Sequence, residues 1–376
     1  MNLLLHIGSH KTASTSLQHF CALNRPALKT RGFFYPRSRD SAYVFNDLAS
    51  AIAFGRQAET AQFLKQARTQ AQALKSDTVV ISAESFYAMT AFFVDIQGHA
   101  RNVQDYWKNE RLLIGTLKEG CEGFDEVRIA CYLRPQDDLA SSLYNQFVKN
   151  VVGTERSYES FIDGIKPVFD YDRHISLWEE VFGMQAVTVR NFTAGGFDIV
   201  KDFCEHFLDP ACHEQAVRKD HHANTRLTRD VLEVKRIYNR IKPDRPLAFI
   251  AARCFREISG QFKDQPGYQV FAPLAARRDF FSLFAAGNEA LAARQNIAAL
   301  PVITADGEPS YPGLEMETAA EIYLRFRMMM DRPANRIELA ARRLANTIMN
   351  RVPGGRTMLA PVRALHNHFR LRFAGW

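Results

Sequence analysis

The sequence predicts an α/β protein with a doubly wound parallel sheet, flanked by helices, and a mostly helical C-terminal half. Four short apolar runs predict strands: 3–7, 78–82, 127–133 and 186–190. Each is the near-continuous apolar run of a strand that a parallel sheet buries on both faces. Helical patterns alternate with these runs, and that alternation is typical of a doubly wound sheet. After about residue 215 only helical patterns occur.

The helices are indicated by their apolar faces and by their ends. Residues 15–28 place Leu17, Phe20 and Leu28 on one face. Residues 135–149 begin with a proline followed closely by two aspartates, which suit the first turn of a helix and its dipole. Three further helical stripes lie in the C-terminal half: 227–241, 315–330 and 335–350.

Length and breaker residues indicate the domain organisation. A chain of 376 residues, 47% of them apolar, can bury one large core or two. We predict one domain over residues 1–330, which comprises an α/β core at 1–215 and a helical region at 216–330. A basic helical tail follows at 331–376, where Pro353-Gly354-Gly355 interrupts the helical pattern.

Composition argues against several classes of protein. The apolar run at 3–7 is shorter than the core of a signal peptide, and no uncharged stretch approaches the length of a membrane span, so we expect a cytoplasmic protein. The six cysteines are dispersed without a C-x-x-C pair, and the histidines show no ligand spacing. Neither a zinc site nor a disulfide framework is predicted.

The positive charge is concentrated at the C-terminal end. Residues 334–376 contain eight arginines and a single acid, Glu338, and therefore account for the whole net charge of +7. An interfacial helix on an anionic membrane has this character, and so does a site for an anionic glycan. A solvated end is the plain alternative. Nucleic acid is disfavoured because no base-reading motif accompanies the charge.

The stretch HIGSHKTASTS at residues 6–16 follows the first predicted strand and opens a helix. In a parallel sheet this is the favoured position for an anionic ligand. Gly8 allows a tight turn, Lys11 supplies a positive charge, and four hydroxyl groups supply donors: Thr12, Ser14, Thr15 and Ser16. The stretch predicts a P-loop-like phosphate cradle, although His10 replaces the glycine that precedes the lysine in a Walker A motif. A plain strand-to-helix turn with a chance lysine is the alternative.

A second motif lies at residues 131–150, CYLRPQDDLASSLYNQFVKN. Arg134 ends a buried strand, where an unpaired guanidinium is costly. This arginine therefore faces the crevice at the carboxyl ends of the strands or pairs with an acid. Ser142 follows eight residues later, about two turns into the next predicted helix.

With these two motifs the sequence resembles the sulfotransferases that use 3′-phosphoadenosine-5′-phosphosulfate (PAPS), especially the bacterial members. Lys11-Thr12-Ala13-Ser14-Thr15 is similar to the family's K-[ST]-G-T-T loop, and Arg134 with Ser142 matches its second motif, spacing included. The resemblance covers residues 1–330 and implies that the loop from Gly8 to Ser16 binds the 5′-phosphosulfate. It further implies that Arg134 and Ser142 bind the 3′-phosphate, and that region 216–330 recognises the acceptor.

One position departs from the family's loop. Ala13 stands where the family has a glycine, and alanine tolerates a positive φ poorly. A left-handed backbone at this position puts cofactor affinity in question, whereas a helical backbone makes the alanine harmless.

The resemblance implies transfer of a sulfuryl group from PAPS to a hydroxyl or amine of an acceptor, with a carbohydrate as the expected class and adenosine 3′,5′-bisphosphate as the product. Lys11 would neutralise charge on the leaving 5′-phosphate. Glu84, just past the second predicted strand, is the expected base, and His10 is the second candidate. An ordinary first-turn acid is the alternative for Glu84. No metal is expected, because a sulfuryl group carries less charge than a phosphoryl group.

Other side chains near the predicted site have weaker claims. Ser82 and Ser85 flank Glu84 and have hydroxyls that can bond an acceptor, although turn capping accounts for them equally well. His221 and His222 precede the helical region and reach the acceptor only if that region covers the cleft. Four aromatic side chains offer rings for stacking on a sugar, although most aromatic residues belong to the core: Tyr87, Phe92, Phe93 and Tyr106.

Two other functions stay open at the level of sequence. An ATP-dependent kinase or NTPase with an unusual phosphate loop predicts Mg²⁺ dependence and an acid after a strand, yet 127–133 contains no acid. A catalytically inactive nucleotide or glycan binder is favoured if the Ala13 change abolishes cofactor binding.

Overall fold

The structure, a computed structural model, describes residues 1–38, 41, 43–94, 103–193, 196–214, 217, 226–262, 271–301 and 311–351. The chain forms two compact units. The first, the sheet unit, comprises Met1–Tyr144, Ser157–Thr225 and Val270–Glu308. The second, the helical unit, comprises Asn145–Arg156, Arg226–Gln269 and Pro309–Trp376. Residues 270–308 of the predicted acceptor-side region thus share a unit with the sheet.

The sheet unit is built on five parallel strands in the order β2-β3-β1-β4-β5. The strands are β1 (Asn2–Gly8), β2 (Phe33–Phe34), β3 (Thr78–Ser82), β4 (Val127–Leu133) and β5 (Val187–Asn191). All four predicted strands are confirmed to within one residue at each end. The short strand β2 was not predicted. The α/β fold with a helix-flanked parallel sheet is therefore confirmed.

The apolar runs form strands because both faces of the sheet are covered. In β1 the side chains of Leu3, Leu4, Leu5 and Ile7 are fully buried. β1 is the central strand, with Leu5 paired to Ile81 of β3 on one side and to Ile129 of β4 on the other. The carboxyl ends of β3, β1 and β4 consequently lie side by side at one edge of the sheet.

Helices account for most of the remaining described chain. In chain order they are α1 (Ser14–Leu23), α2 (Arg25–Thr30), α3 (Asn46–Ala53), α4 (Gln57–Ala73), α5 (Val103–Gly120), α6 (Gln136–Lys149), α7 (Tyr158–Gly164), α8 (Tyr171–Phe182), α9 (Ile199–Phe207), α10 (Ala211–Glu214), α11 (Arg229–Asn239), α12 (Arg245–Ser259), α13 (Leu274–Ser282), α14 (Ala285–Gln295), α15 (Met316–Met330) and α16 (Pro333–Arg351). No described residue after Asn191 lies in a strand, which confirms the helical C-terminal half.

The helical unit has a core of its own. Phe255 of α12 stacks on Phe326 of α15 with ring centroids 4.6 Å apart, and Tyr238 of α11 packs against both rings. α16 extends this unit and lies in the segment predicted as a basic tail, whose residues 352–376 fall outside the described chain. Among the described residues, no helix has the length and apolarity needed to cross a membrane.

Candidate functional site

The carboxyl edge of the sheet brings the two predicted motifs together. The loop after β1 is tied to β4, because the Ser9 N–H and the Ser9 hydroxyl both donate to the Tyr132 carbonyl, at 2.7 and 2.9 Å. The turn after β3 is tied to β1 by the Ala83 N–H, which donates to the His6 carbonyl at 2.9 Å. The Lys11 loop, the Glu84 turn and the start of α6 therefore meet at one place.

Gly8 is required by the geometry of the loop. Its φ of 113° lies in the region that favours glycine, and a Cβ at this position would lie 3.0 Å from the Glu84 carbonyl oxygen. Gly8 is the last residue of β1, and the turn itself begins at His10. The absence of a side chain also lets the β1 loop and the β3 turn approach each other closely, which places Glu84 beside the loop.

Ala13 adopts the left-handed conformation, with φ 57° and ψ 25°, at the N-cap of α1. The family's glycine position thus has a backbone conformation that glycine adopts readily. In an alanine the same conformation costs about 1–2 kcal/mol of folding free energy. Lys11 also has a positive φ, of 62°, while Thr12 between them does not. Left-handed residues beside right-handed ones are a common element of the backbone concavities that bind anions, and this loop has two left-handed residues.

The predicted hydroxyl groups divide into two roles. Thr12 is buried and donates to the Ser9 carbonyl at 2.7 Å, so its side chain braces the loop. Ser14 is buried at the start of α1, and its Oγ has no hydrogen-bond partner in the described chain. Thr15 is half-buried and Ser16 is exposed. Ser14 is therefore the buried hydroxyl that is available for a ligand beside the first N–H groups of α1, which have no partner within the helix.

Arg134 links the two motifs directly. Its guanidinium donates from Nη1 to the Lys11 carbonyl at 2.7 Å and to Ser142 Oγ at 3.4 Å, and its Nη2 lies 3.1 Å from Asp138 Oδ2. Tyr171 fixes the backbone by donating its hydroxyl to the Arg134 carbonyl at 2.7 Å. The expected pairing with an acid is found, and the guanidinium also reaches the loop. Asp138 was not identified as its partner from the sequence, although a spacing of four residues is the signal for such a pair.

Glu84 and His10 face each other beside this loop. Glu84 begins a 3₁₀ turn at Glu84–Phe86, and its Oε1 lies 3.9 Å from His10 Nδ1. The ring of Phe92 packs against the imidazole with centroids 4.1 Å apart. Burial lowers the pKa of His10, the Lys11 charge lowers it further, and the Glu84 carboxylate opposes both. A neutral imidazole beside a carboxylate is an arrangement that can accept a proton.

Glu110 of α5 holds the segment that follows Glu84. Its two carboxylate oxygens accept hydrogen bonds from the Met89 and Thr90 N–H groups, at 3.0 and 2.7 Å, and the side chain is fully buried. Thr90 begins the π-helical turn Thr90–Val94, from which Phe92 reaches His10. Sequence reasoning missed Glu110, because nothing in its local pattern distinguishes it from a surface acid of a helix. Burial raises its pKa to about 7, although the bonds from Thr90 and Met89 oppose the shift.

The Glu110 carboxyl should make stability depend on pH. It keeps its proton to about pH 7 in the folded protein but loses it near 4.5 when unfolded, so its contribution is complete below 4.5 and is lost as the pH rises through about 7. Between these two pH values the free energy of unfolding is expected to fall by about 3 kcal/mol. Glu110→Gln is expected to flatten the pH dependence of the free energy of unfolding, measured with urea at both ends of this interval. Glu119→Gln, an exposed change on the same helix, should leave it as in the wild type. Equal slopes in all three proteins would contradict the assignment.

Other predicted side chains have structural roles. Ser82 is fully buried and its Oγ lies 2.8 Å from His6 Nδ1, so it does not face a ligand. Tyr87 and Tyr106 are buried around His174, with the Tyr87 ring stacked on the imidazole at 4.6 Å. Of the two alternatives for these tyrosines, membership of the core is the one found. Ser85 is buried, and Phe93 packs edge-on against Phe54. His221 and His222 lie outside the described residues.

A cavity of about 260 Å³ lies within the sheet unit beside the first turn of α6. Its apolar lining comes from α7 and from the region of α13: Ile162, Ala272, Pro273, Ala276, Phe280 and Leu283. Its charged lining includes the buried ion pair between Asp137 Oδ2 and Arg277 Nη2, at 2.6 Å, together with Glu159, Asp163 and Lys166. Apolar walls with a few charged groups are typical of small-molecule sites.

Comparisons of the chain with protein-family models, with curated proteins and with solved structures find no match. Function is therefore inferred from the contacts at the carboxyl edge of the sheet. Three features carry the inference: a loop with a lysine and two left-handed residues, an arginine bonded to that loop, and a carboxylate beside it.

Proposed function

We propose that this protein is a PAPS-dependent sulfotransferase, which moves a sulfuryl group from PAPS to a hydroxyl or amine of an acceptor, with a carbohydrate as the favoured class. The observation that supports this most is the hydrogen bond of 2.7 Å from the Arg134 guanidinium to the Lys11 carbonyl. This bond joins the Arg134 side chain to the backbone of the loop that carries Lys11, and a nucleotide with phosphates at both its 3′ and 5′ positions needs a cation for each.

The P-loop-like loop has the groups that a 5′-phosphosulfate requires. The N–H groups of the segment from Lys11 to Ala13, the first N–H groups of α1 and the Ser14 hydroxyl are the proposed donors. Gly8 supports the cradle through its turn, Thr12 through its bond to the backbone, and Thr15 and Ser16 through the first turn of α1. Arg134 and Ser142, which contact each other, are the proposed ligands of the 3′-phosphate.

The chemistry requires a neutralised leaving group and a base. As the bond from sulfur to the bridging oxygen breaks, charge builds on the 5′-phosphate, and Lys11 is the cation assigned to it. As the acceptor oxygen bonds to sulfur, its proton passes to Glu84, with His10 as the neighbouring alternative. The cavity beside α6 is the proposed acceptor site, because its charged lining suits hydroxyl groups and residues 272–283 belong to the region expected to recognise the acceptor.

Calorimetry with adenosine 3′,5′-bisphosphate and with 5′-AMP tests this proposal. The wild type is expected to prefer the bisphosphate by roughly 100-fold, and Arg134→Ala to abolish that preference, because a charged hydrogen-bonding pair contributes about 1.5–3 kcal/mol. Arg111→Ala, which removes an exposed arginine of the same unit, should keep the preference. Equal weak binding of both nucleotides to the wild type would refute the proposal.

The competing kinase or NTPase reading is tested in the same experiment. An ATP-dependent enzyme would bind ATP with Mg²⁺ more tightly than the bisphosphate, and a chelator would abolish that binding. A sulfotransferase is expected to bind the bisphosphate equally well with and without chelator. If the protein binds the bisphosphate but converts no PAPS with any acceptor tested, the result favours an inactive nucleotide binder.

A further inference from the structure

Helix α16 packs within the helical unit through its polar side. Asn335 is buried, and Glu338 is bonded to two arginines, Arg253 at 2.7 Å and Arg342 at 2.8 Å. The Arg342 guanidinium also lies 3.9 Å from the centre of the Phe249 ring. Hydrogen bonds, ion pairs and a cation–π contact thus hold this side of the helix, where Leu339 and Ala345 are half-buried as well.

The opposite side of α16 is apolar and exposed. Ile337 is 70% exposed and Leu344 is 62% exposed, and the exposed Ala340 and Ala341 lie between them. Residues spaced by three, four and seven positions share one face of a helix, so these four side chains form one stripe, here called the α16 stripe. A surface helix normally buries its apolar face and exposes its polar face. α16 instead leaves this apolar stripe exposed, which indicates that something else covers it.

The charges beside the stripe are positive. Arg336 and Arg343 are exposed, and each immediately precedes one of the two large apolar residues, Ile337 and Leu344. Arg343 also pairs with Asp244 at 2.9 Å, so the positive charge beside the stripe comes from Arg336 and from the net charge of +7 of residues 334–376. Glu338 is the single acid among residues 334–376, and it is already engaged by two arginines on the other face. A partner that fits this surface therefore combines an apolar interior with negative charge.

We propose that the α16 stripe docks on an anionic membrane surface. A lipid surface supplies both an acyl layer for Ile337 and Leu344 and phosphate groups for Arg336. A second copy of the chain would bring the same arginines face to face. The chain's own residues 352–376 contain four arginines and no acid, so they offer no complementary charge. An anionic glycan matches the arginines but leaves the apolar side chains in water. This proposal does not depend on the sulfotransferase proposal.

Vesicle co-sedimentation of the full chain tests the docking surface. The wild type is expected to bind phosphatidylcholine vesicles that contain phosphatidylserine at least about ten-fold more tightly than vesicles of phosphatidylcholine alone. The double variant Ile337→Glu/Leu344→Glu should lose at least about ten-fold of this affinity, because it removes apolar contacts and adds two negative charges. The matched control is Leu112→Glu/Met184→Glu, which places the same charges at positions that are 66% and 53% exposed in the sheet unit, and it should bind as the wild type does.

Each other outcome overturns the membrane assignment. Equal binding of the wild type to both kinds of vesicle, or no binding to either, removes the anionic surface as the partner. A double variant that binds as tightly as the wild type rules out the stripe as the docking surface.

Two further outcomes would identify another partner. If the wild type self-associates without lipid, as measured by sedimentation velocity, and the double variant does not, a second copy is the occupant. Binding of a soluble sulfated polysaccharide that is equal in the wild type and the double variant, without vesicle binding, makes a glycan the partner of the arginines. Circular dichroism spectra that match the wild type show that the variants are folded.

Discussion

Replacing Lys11 with methionine is expected to lower the rate of sulfuryl transfer by about 1,000-fold, the loss typical of removing a group that stabilises charge in a transition state. Methionine keeps the length and apolar stem of the side chain and removes the charge. The contact between the loop and Arg134 should persist, because it uses the Lys11 carbonyl and not the ammonium. The fold of the loop and the binding of the 3′-phosphate are therefore expected to survive the change.

The measurement is conversion of labelled PAPS to adenosine 3′,5′-bisphosphate in a single turnover, with a screened acceptor or, failing one, with water. Lys75→Met is a matched control, since Lys75 is an exposed lysine that also has a left-handed backbone, with φ 56°. This control should react at the wild-type rate. Bisphosphate affinity in Lys11→Met should fall far less than the rate. A Lys11→Met protein that keeps its rate within about ten-fold would remove Lys11 from the transition state.

The strands were predictable from sequence because burial on both faces of a parallel sheet leaves a continuous apolar run, as at Leu3-Leu4-Leu5 in β1. β2 leaves no such trace, since it contains only Phe33 and Phe34. Its strand character depends on pairing with β3, a contact that local sequence does not encode.

The predicted helix at 15–28 is two helices, and the cause is local. α1 ends at Leu23 and α2 begins at Arg25, with Pro26 in its first turn. Proline has no N–H with which to continue the helical ladder, so the Ala22 carbonyl accepts instead from the Arg25 side chain, at 3.0 Å. The proline itself signals this break. The apolar stripe does not, because it continues across the break and so predicted a single helix.

The candidate site was predictable in outline because the carboxyl ends of neighbouring parallel strands share an edge. That rule suffices to bring Lys11, Glu84 and Arg134 close together. It does not specify the left-handed backbone at Ala13 or the anchoring by Glu110, which come from contacts distant in sequence. Glu110 bonds a segment 20 and 21 residues away, and its burial depends on α5, a helix that sequence analysis did not predict.

Glu84→Gln is expected to lower the transfer rate by about 100-fold to 10,000-fold, the range for loss of a general base, while leaving bisphosphate affinity nearly unchanged. Glutamine preserves the size of the side chain and its packing beside the loop, but it cannot accept the proton of the acceptor. His10 is the group to which the role would otherwise fall, since its Nδ1 lies 3.9 Å from Glu84 Oε1. The comparison between Glu84→Gln and His10→Asn therefore decides which of the two is the base.

The pH dependence separates the two residues further. Burial lowers the pKa of His10, so its imidazole is neutral at pH 7 and stays neutral as the pH falls below the ordinary value for histidine. A rate that depends on His10 as the base would thus persist into mildly acidic solution in Glu84→Gln and disappear in His10→Asn. If Glu84 is the base, Glu84→Gln is slow at every pH and His10→Asn retains most of its rate. Glu59→Gln changes an exposed acid of α4 and should have no effect on the rate. Full activity in Glu84→Gln would exclude the Glu84 carboxylate from proton transfer.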